Sequence, residues 1–461
     1  MLRYPRAGLL AAGGVLTGGF LWLRATGDLG EDVPGMWLAL LPAAAAWAYA
    51  AWLVLRSPCA APGTTAIVAG FAVVFRLLLL DTAPSLSDDI YRYLWDARVQ
   101  AAGGNPYAQA PDDPSLAPLR DTDWGRINHP ELVTIYPPVA QWLFRGAHAA
   151  WPGATGLKAA LVLCDLLLMA VLWCLLKHRG QSPPRILLYA WHPLPVIEIA
   201  GNGHVDVLAV TLMMMGLLFL ASGRRHGAAL ALTAAILSKV VPVLCLAAFW
   251  RSWAPADSRG WRRWLDPIPR RPLVWVPLGL AAAWLAYADA GGAMWSGLRT
   301  FAVKWRHNDS LYGLIYSLLA DPKPGWEWDD GALMTARWIC LAALAAVTAW
   351  AAAGWRDPVR AVAASMGALL LLSPVVHPWY LLWILAFLPM HPALPWMAFC
   401  WLAFLGYEAL MPYRGTGTWQ SSEWVAWVEY GPVYLLLGWC LVGWAAARRG
   451  AVSGETVSDR A

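Results

Sequence analysis

Apolar runs close to the length of a bilayer crossing recur about twelve times along this 461-residue chain. They fall at about 8–24, 36–55, 64–80, 158–176, 185–200, 204–221, 272–288, 336–354, 360–376, 378–390, 393–410 and 426–447. A helix needs about 20 apolar residues to cross the hydrocarbon core. Backbone polar groups in lipid must be satisfied within the protein, which leaves helices and closed barrels as spanning structures. The runs are continuous rather than alternating, so the expected fold class is all-α: a polytopic membrane protein with about 12 transmembrane helices. The runs at 226–237 and 240–250 are too short to span, and Lys239 and Pro242 separate them. They are read as one broken or re-entrant helix buried in protein.

Charge supports lipid as the solvent. Only 14% of residues are charged, against 59% hydrophobic, whereas a soluble domain carries about 25% charged residues. The 32 tryptophans suit membrane–water interfaces. Net charge is +5 with no basic polar face, which excludes nucleic acid as a partner. Cysteines 59, 164, 174, 245, 340, 400 and 440 form no CxxC pair, so neither a metal site nor a disulfide framework is read. Arg3 and Arg6 precede the first apolar run as in a signal peptide. No small-x-small cleavage site follows, and a retained first span is expected.

Orientation follows the Lys/Arg bias of the loops. The N-terminus, Arg56, Lys177 to Arg185, Arg224–Arg225, 251–271, Arg356 to Arg360 and Arg448–Arg449 are basic and expected inside. Loop 81–131 holds nine acids against four basic residues, and loop 289–332 is acidic and Trp-rich. Both are expected outside, with interfacial helices. The parity requires 133–151 to lie in the interface. Residues 1–449 then form one domain with outer loops at 81–157 and 289–335, followed by a polar cytoplasmic tail at 450–461, expected to be disordered.

Polar residues gather at the outer interface. The stretch SDDIYRYLWDARVQAAGGNPY, Ser87 to Tyr107, follows the run 64–80 directly. Ser87 suits an N-cap, Asp88 and Asp89 suit the first turn, and Gly103–Gly104 suits the helix end. The two carboxylates either mark a helix start alone or include a general base. Adjacent helix residues point apart, so one can face an acceptor hydroxyl while the other binds Arg92 or backbone.

This stretch, with INHPELVTIYPPVAQ (Ile127 to Gln141) and SPVVHPWYLLW (Ser373 to Trp383), resembles integral-membrane glycosyltransferases of the GT-C superfamily. The nearest likeness is to bacterial polyprenol-phosphate-mannose-dependent mannosyltransferases. Many members of that family place the acidic loop after their first helix, whereas two spans precede it here. The resemblance implies a base in the acidic motif, with Asp88 preferred, Asp89 supporting it and His377 nearby. It also implies substrate contacts from Arg92, Asn128, His129, Tyr136, Trp379 and Tyr380. It implies a multi-pass protein of the plasma (inner) membrane, with its site on the extracytoplasmic face. The donor would be a polyprenyl-phosphate-sugar, with mannose the expected sugar, and the acceptor a glycan or glycolipid.

The chemistry fits these residues. A lipid phosphate leaves as a stabilised anion, so one base suffices and no strong acid is required. Cations or hydrogen-bond donors must hold the phosphate. Candidates are Lys304, Arg306 and His307 in the second outer loop, and Asn202, His204 and Asp206 in the short loop EIAGNGHVDV. Against these roles, Lys304 and Arg306 can simply snorkel, His377 can bond locally at a helix start, and the 202–206 group can satisfy a turn. Lys239 in an apolar run requires a buried partner, with Asp165 or Glu198 expected. No Gly-rich nucleotide loop is present. No cofactor is expected, with a divalent metal left open. The competing readings are a lipid-linked sugar flippase and a non-catalytic subunit of polysaccharide assembly.

The topology is testable. On a cysteine-free background, cysteines placed in 81–131 and 289–332 should react with an impermeant thiol reagent on intact cells. A cysteine placed in 251–271 should stay protected, and its labelling from outside would overturn the orientation.

Overall fold

A computed structural model describes residues 5–56, 63–254, 268–321, 329–417, 419 and 421–458. Cys59 and most of the basic stretch 251–271 lie outside the described residues. The fold is helical, and among the described residues the sole bridge of β type joins His307 to Val375. Among the described residues, six helices are long and apolar enough to cross a membrane: Arg6–Thr26, Val33–Arg56, Ala154–His178, Asp330–Gly354, Leu394–Thr416 and Glu423–Gly443. A seventh crossing results if Arg270–Leu285 and Ala288–Lys304, bent by 107°, count as one.

The remaining runs divide by their prolines and lengths. Thr64–Leu80, Asp206–Ala221 and Pro358–Leu372 are single helices below full crossing length. The run 185–200 is not one helix. It breaks into turns around Pro183, Pro184, Pro193 and Pro195 and ends in a π-helical turn, Val196–Gly201. Proline lacks the N–H that would continue the ladder. The run 378–390 breaks likewise after Pro378. Both are almost wholly buried, which is where broken backbone is tolerated at membrane depth. The 226–250 region breaks as expected: one helix ends at Ile236 and the next begins at Cys245. The last helix, Glu423–Ser458, continues through most of the tail expected to be disordered.

Helices α1 (Pro5–Thr26), α2 (Val33–Arg56) and α3 (Thr64–Leu80) pack together. The first outer loop opens with α4 (Asp89–Ala101) and closes with α5 (Pro138–Ala150), which pack against each other. At 13 residues α5 is too short to span, in keeping with an interfacial helix. The next long helix is α6 (Ala154–His178). The two outer loops meet. Asn105 Nδ2 donates to Asp289 Oδ1 at 2.7 Å, and Tyr107 packs on Trp284 and Tyr287. His129 packs edge-on to Trp305.

Two buried polar clusters lock this arrangement. Arg76 of α3 donates Nε to Asp165 Oδ2 of α6 at 2.5 Å and Nη1 to Ala72 and Ala190 carbonyls. Tyr189 donates to the other oxygen of Asp165 at 2.6 Å. Lys158 Nζ caps the carbonyls of Leu79, Thr82 and Gly201 at 3.3, 2.5 and 3.0 Å. Asp165 is therefore the partner of Arg76, and not of Lys239 as expected from sequence. Arg76 and Asp165 side chains are 1% and 0% exposed, so removing one leaves a buried charge. Asp165→Leu alone should destabilise by about 3–5 kcal/mol, while adding Arg76→Leu should recover part of the loss. Thermal unfolding in detergent measures both; equal midpoints for wild type and Asp165→Leu would contradict the pairing.

Candidate functional site

The site is built where α4 begins. Asp88 is the N-cap, and the Asp89 N–H donates to Ser87 Oγ at 3.2 Å. The cap therefore falls one residue later than the sequence suggested, with Ser87 just before it bonding the Asp89 N–H. Gly103, with φ +82°, follows the helix end as expected. The approach to α4 is fixed by Asn202, whose Oδ1 accepts from the N–H groups of Ser85 and Leu86 at 3.1 and 3.0 Å. Its Nδ2 donates to the Ile197 carbonyl. Asn202 thus holds backbone with both ends of its amide. Gly203 follows at φ +78°, and a Cβ there would lie 2.6 Å from Ile90 Cδ1. Glycine alone allows this turn to close on α4.

Asp89 keeps 26% of its side-chain exposure. Its Oδ2 receives the Tyr93 hydroxyl at 3.4 Å and lies 3.8 Å from His204 Nδ1. Burial pushes its carboxyl up to about 6, opposed by Lys239 and reinforced by Asp206 and Asp88. Burial also raises Asp88, opposed by Arg414 and Arg126. Asp206 Oδ1 accepts from Lys239 Nζ at 2.6 Å and from Trp383 Nε1 at 2.9 Å. Lys239 thus pairs with Asp206 instead of Asp165 or Glu198, and it sits 4.5 Å above the Tyr380 ring. Tyr136 meets Tyr93 edge-on at 4.7 Å.

From His204 a column of rings leads away from Asp89. His204 stacks on Trp379 at 3.8 Å, Trp379 on His377 at 4.3 Å, and His377 lies 4.8 Å from His307. His377 is therefore joined to the carboxylates through two intervening rings, not by direct contact. His307 is held by backbone pairing with Pro374 and Val376, and its Nδ1 faces Trp419 Nε1 at 3.0 Å. Burial brings His307 down to about 4. Asn308 continues the anchorage, donating its amide to Glu429 at 3.1 and 3.2 Å.

The other expected contacts lie apart. Arg92 turns inward to Asp96 at 2.9 Å, and Gln141 donates to the second oxygen of Asp96 at 2.8 Å. Arg92 therefore pairs with neither motif aspartate, and Asp96, which also accepts from Gln141, ties α4 to α5. Arg306 pairs with Asp309 and lies over the Tyr316 ring at 4.6 Å, so a neighbouring acid already answers its charge. Lys304 and Asn128 are exposed, and His129 faces Glu131 and Trp305. Sequence reasoning missed Arg126, which donates to the Tyr91 hydroxyl at 2.6 Å, and Arg414, which donates to Asp28 and the Ser85 carbonyl. Both act on Asp88; each stands in a different stretch from the motif, with no local signal to single it out. Among the described residues, no group of three His, Cys, Asp or Glu side chains is arranged to hold a metal.

Comparison with known proteins identifies the chain by region. The family model described as alpha-(1->6)-mannopyranosyltransferase, N-terminal domain, matches residues 7–255, and the MptB C-terminal domain matches 325–426. No curated protein matches. Among solved structures, ArnT from Cupriavidus metallidurans bound to undecaprenyl phosphate is similar, at 16% identity and a TM-score of 0.44. That match covers 84% of this chain and 73% of the other.

Asn202→Leu should test the anchorage. It strands two backbone N–H groups, a cost of about 1–3 kcal/mol each. Transfer activity should fall by about tenfold or more with membrane insertion unchanged; full activity would show that the loop holds its place without Asn202.

Proposed function

Since the chain belongs to the alpha-(1→6)-mannopyranosyltransferase family, and so is a membrane-embedded glycosyltransferase, we propose that it transfers mannose from a polyprenyl-phosphate carrier, with Asp89 as general base. The observation that carries this reading is the Asp89 carboxyl itself. It stands at the head of α4, still partly exposed, with burial placing its titration near about 6. A base titrating just below working pH is ionised yet retains proton affinity. Asp88 stands beside it under the influence of Arg126 and Arg414, which favours a supporting role and reverses the order expected from sequence.

In the proposed step an acceptor hydroxyl oxygen attacks the anomeric carbon. Its proton passes to Asp89, the bond from that carbon to the phosphate oxygen breaks, and the lipid phosphate leaves with the bonding electrons. One displacement inverts the anomeric centre. No acid is needed because the phosphate leaves as a stable anion. Lys239, Arg126 and Arg414 are the cations acting on the two aspartates, and they suit the phosphate better than Arg306 does. The arginine partition of the loops supports an extracytoplasmic site.

Asp89→Asn keeps the shape and removes the basicity, so transfer of radiolabelled mannose from polyprenyl-phosphate-mannose should fall by about 100-fold or more. Asp88→Asn should fall less. Wild-type kcat should decline as pH drops through about 6, because protonation removes the base. Native rates in Asp89→Asn would remove Asp89 from the role.

A further inference from the structure

Behind Asp89 lies a group that the proposed transfer does not use. Glu198 is 0% exposed and sits in the π-helical turn Val196–Gly201. The Tyr407 hydroxyl lies 2.7 and 2.8 Å from its two oxygens. Its Oε2 is 3.4 Å from His204 Nε2, while His204 Nδ1 is 3.8 Å from Asp89 Oδ2. Both ring nitrogens are buried and neither makes a hydrogen bond in this structure, so each is open to the carboxylate it faces. Trp379 stacks on the imidazole at 3.8 Å and fixes its plane. The backbone keeps the two ends in register, since the His204 N–H donates to the Glu198 carbonyl at 2.9 Å.

We infer that Glu198 is a positioning residue, which sets the tautomer of His204 so that its Nδ1–H points at Asp89. This rests on Asp89 being the base. The reasoning is a proton count. A buried carboxyl answered by a phenol and an imidazole is cheaper with its proton than without. Protonated Glu198 donates to Nε2, which must then be the bare nitrogen, and Nδ1 carries the ring proton. That proton faces the ionised form of Asp89 and stabilises it on the Oδ2 side. The other oxygen, Oδ1, stays available to the acceptor hydroxyl. Contacts of this kind are often long in the empty site and tighten around substrate. The second ring nitrogen deciding the first is the general behaviour of histidine.

The effect is readable as pH dependence. Besides His204, the groups acting on Asp89 are Asp88 and Tyr93 on its own helix, with Asp206 and Lys239 from other elements. Tyr136, Tyr380 and Tyr407 also sense its charge. A donor to the ionised carboxylate lowers its titration point, so losing that donor must raise it. With purified full-length protein, polyprenyl-phosphate-mannose and a manno-oligosaccharide acceptor, Glu198→Ala should lower kcat about tenfold with KM little changed. Its acid limb should move up by about one pH unit, the scale of one hydrogen bond to a charged group. Glu198→Gln should keep the wild-type limb, because its amide N–H also donates to Nε2. An unmoved limb in Glu198→Ala overturns the inference, as does a Glu198→Gln limb displaced as far as that of Glu198→Ala. Should Glu198→Ala not fold, His204→Phe decides, because it removes the donor to Asp89 itself: an upward shift of the limb is expected, and an unmoved limb overturns the inference. Asp89→Asn run alongside separates the two ideas. Its inactivity with an unmoved Glu198→Ala limb sinks only the positioning role, and its activity sinks the base itself.

Discussion

Three polar side chains hold the segment that ends α3 and begins α4, and the site depends on them. Lys158 draws together the carbonyls of Leu79, Thr82 and Gly201. Asn202 receives the N–H groups of Ser85 and Leu86. Arg414 reaches the Ser85 carbonyl from the far end of the chain. Where a chain leaves its helix at the membrane edge, carbonyls and N–H groups lose their ladder partners, and burying them unpaired is costly. Here each is met by a side chain from a different helix. The same bonds that satisfy the backbone also fix where α4 starts, and so where Asp88 and Asp89 stand.

The electrostatics around the carboxylates follow from that placement. Asp89, Asp206 and Lys239 act on one another in a partly enclosed space. The lysine answers Asp206 directly, at 2.6 Å, and reaches Asp89 through its field. Three acids with one close cation leave the innermost carboxyl of the motif short of compensation, which is why burial prevails and its affinity for a proton rises. A phosphate arriving there would meet Lys239, Arg126 and Arg414 while keeping clear of the carboxylates. Arg306 is not among the cations acting on Asp88 or Asp89, and it pairs with Asp309 beside Tyr312 and Tyr316.

Much of the architecture is legible in the sequence because it depends on one strong signal, apolar length. Runs without internal proline became single helices, and the acidic stretch became a helix with its glycine stop in the anticipated place and its cap at Asp88, one residue beyond Ser87. What could not be read was the fate of apolar runs that carry prolines. Residues 185–200 and 378–390 look like spans by hydropathy, yet they are folded as buried turns that bring His204 and Trp379 together. Pairings were least legible. Lys239 found Asp206, Arg92 found Asp96 and Arg76 found Asp165, and each choice depends on which helices are neighbours. Asp206 and Asp165 are equally plausible partners for Lys239 on the page; only the packing separates them.

That dependence explains why the site lies at the edge of the helical bundle and not within it. The acidic helix could not enter hydrocarbon without stranding its charges. A helix wholly in water could not have raised the affinity of Asp89 for a proton, since desolvation supplies that shift. The interface offers both conditions over a few ångströms. The broken segments 185–204 and 373–385 supply one protein wall, with Glu198, His204 and Trp379 buried in it. The two long loops meet each other through Asn105 with Asp289 and His129 with Trp305. On the proposed reading, a carboxyl partly buried and partly exposed can take a proton from a sugar hydroxyl while the donor's tail stays in lipid.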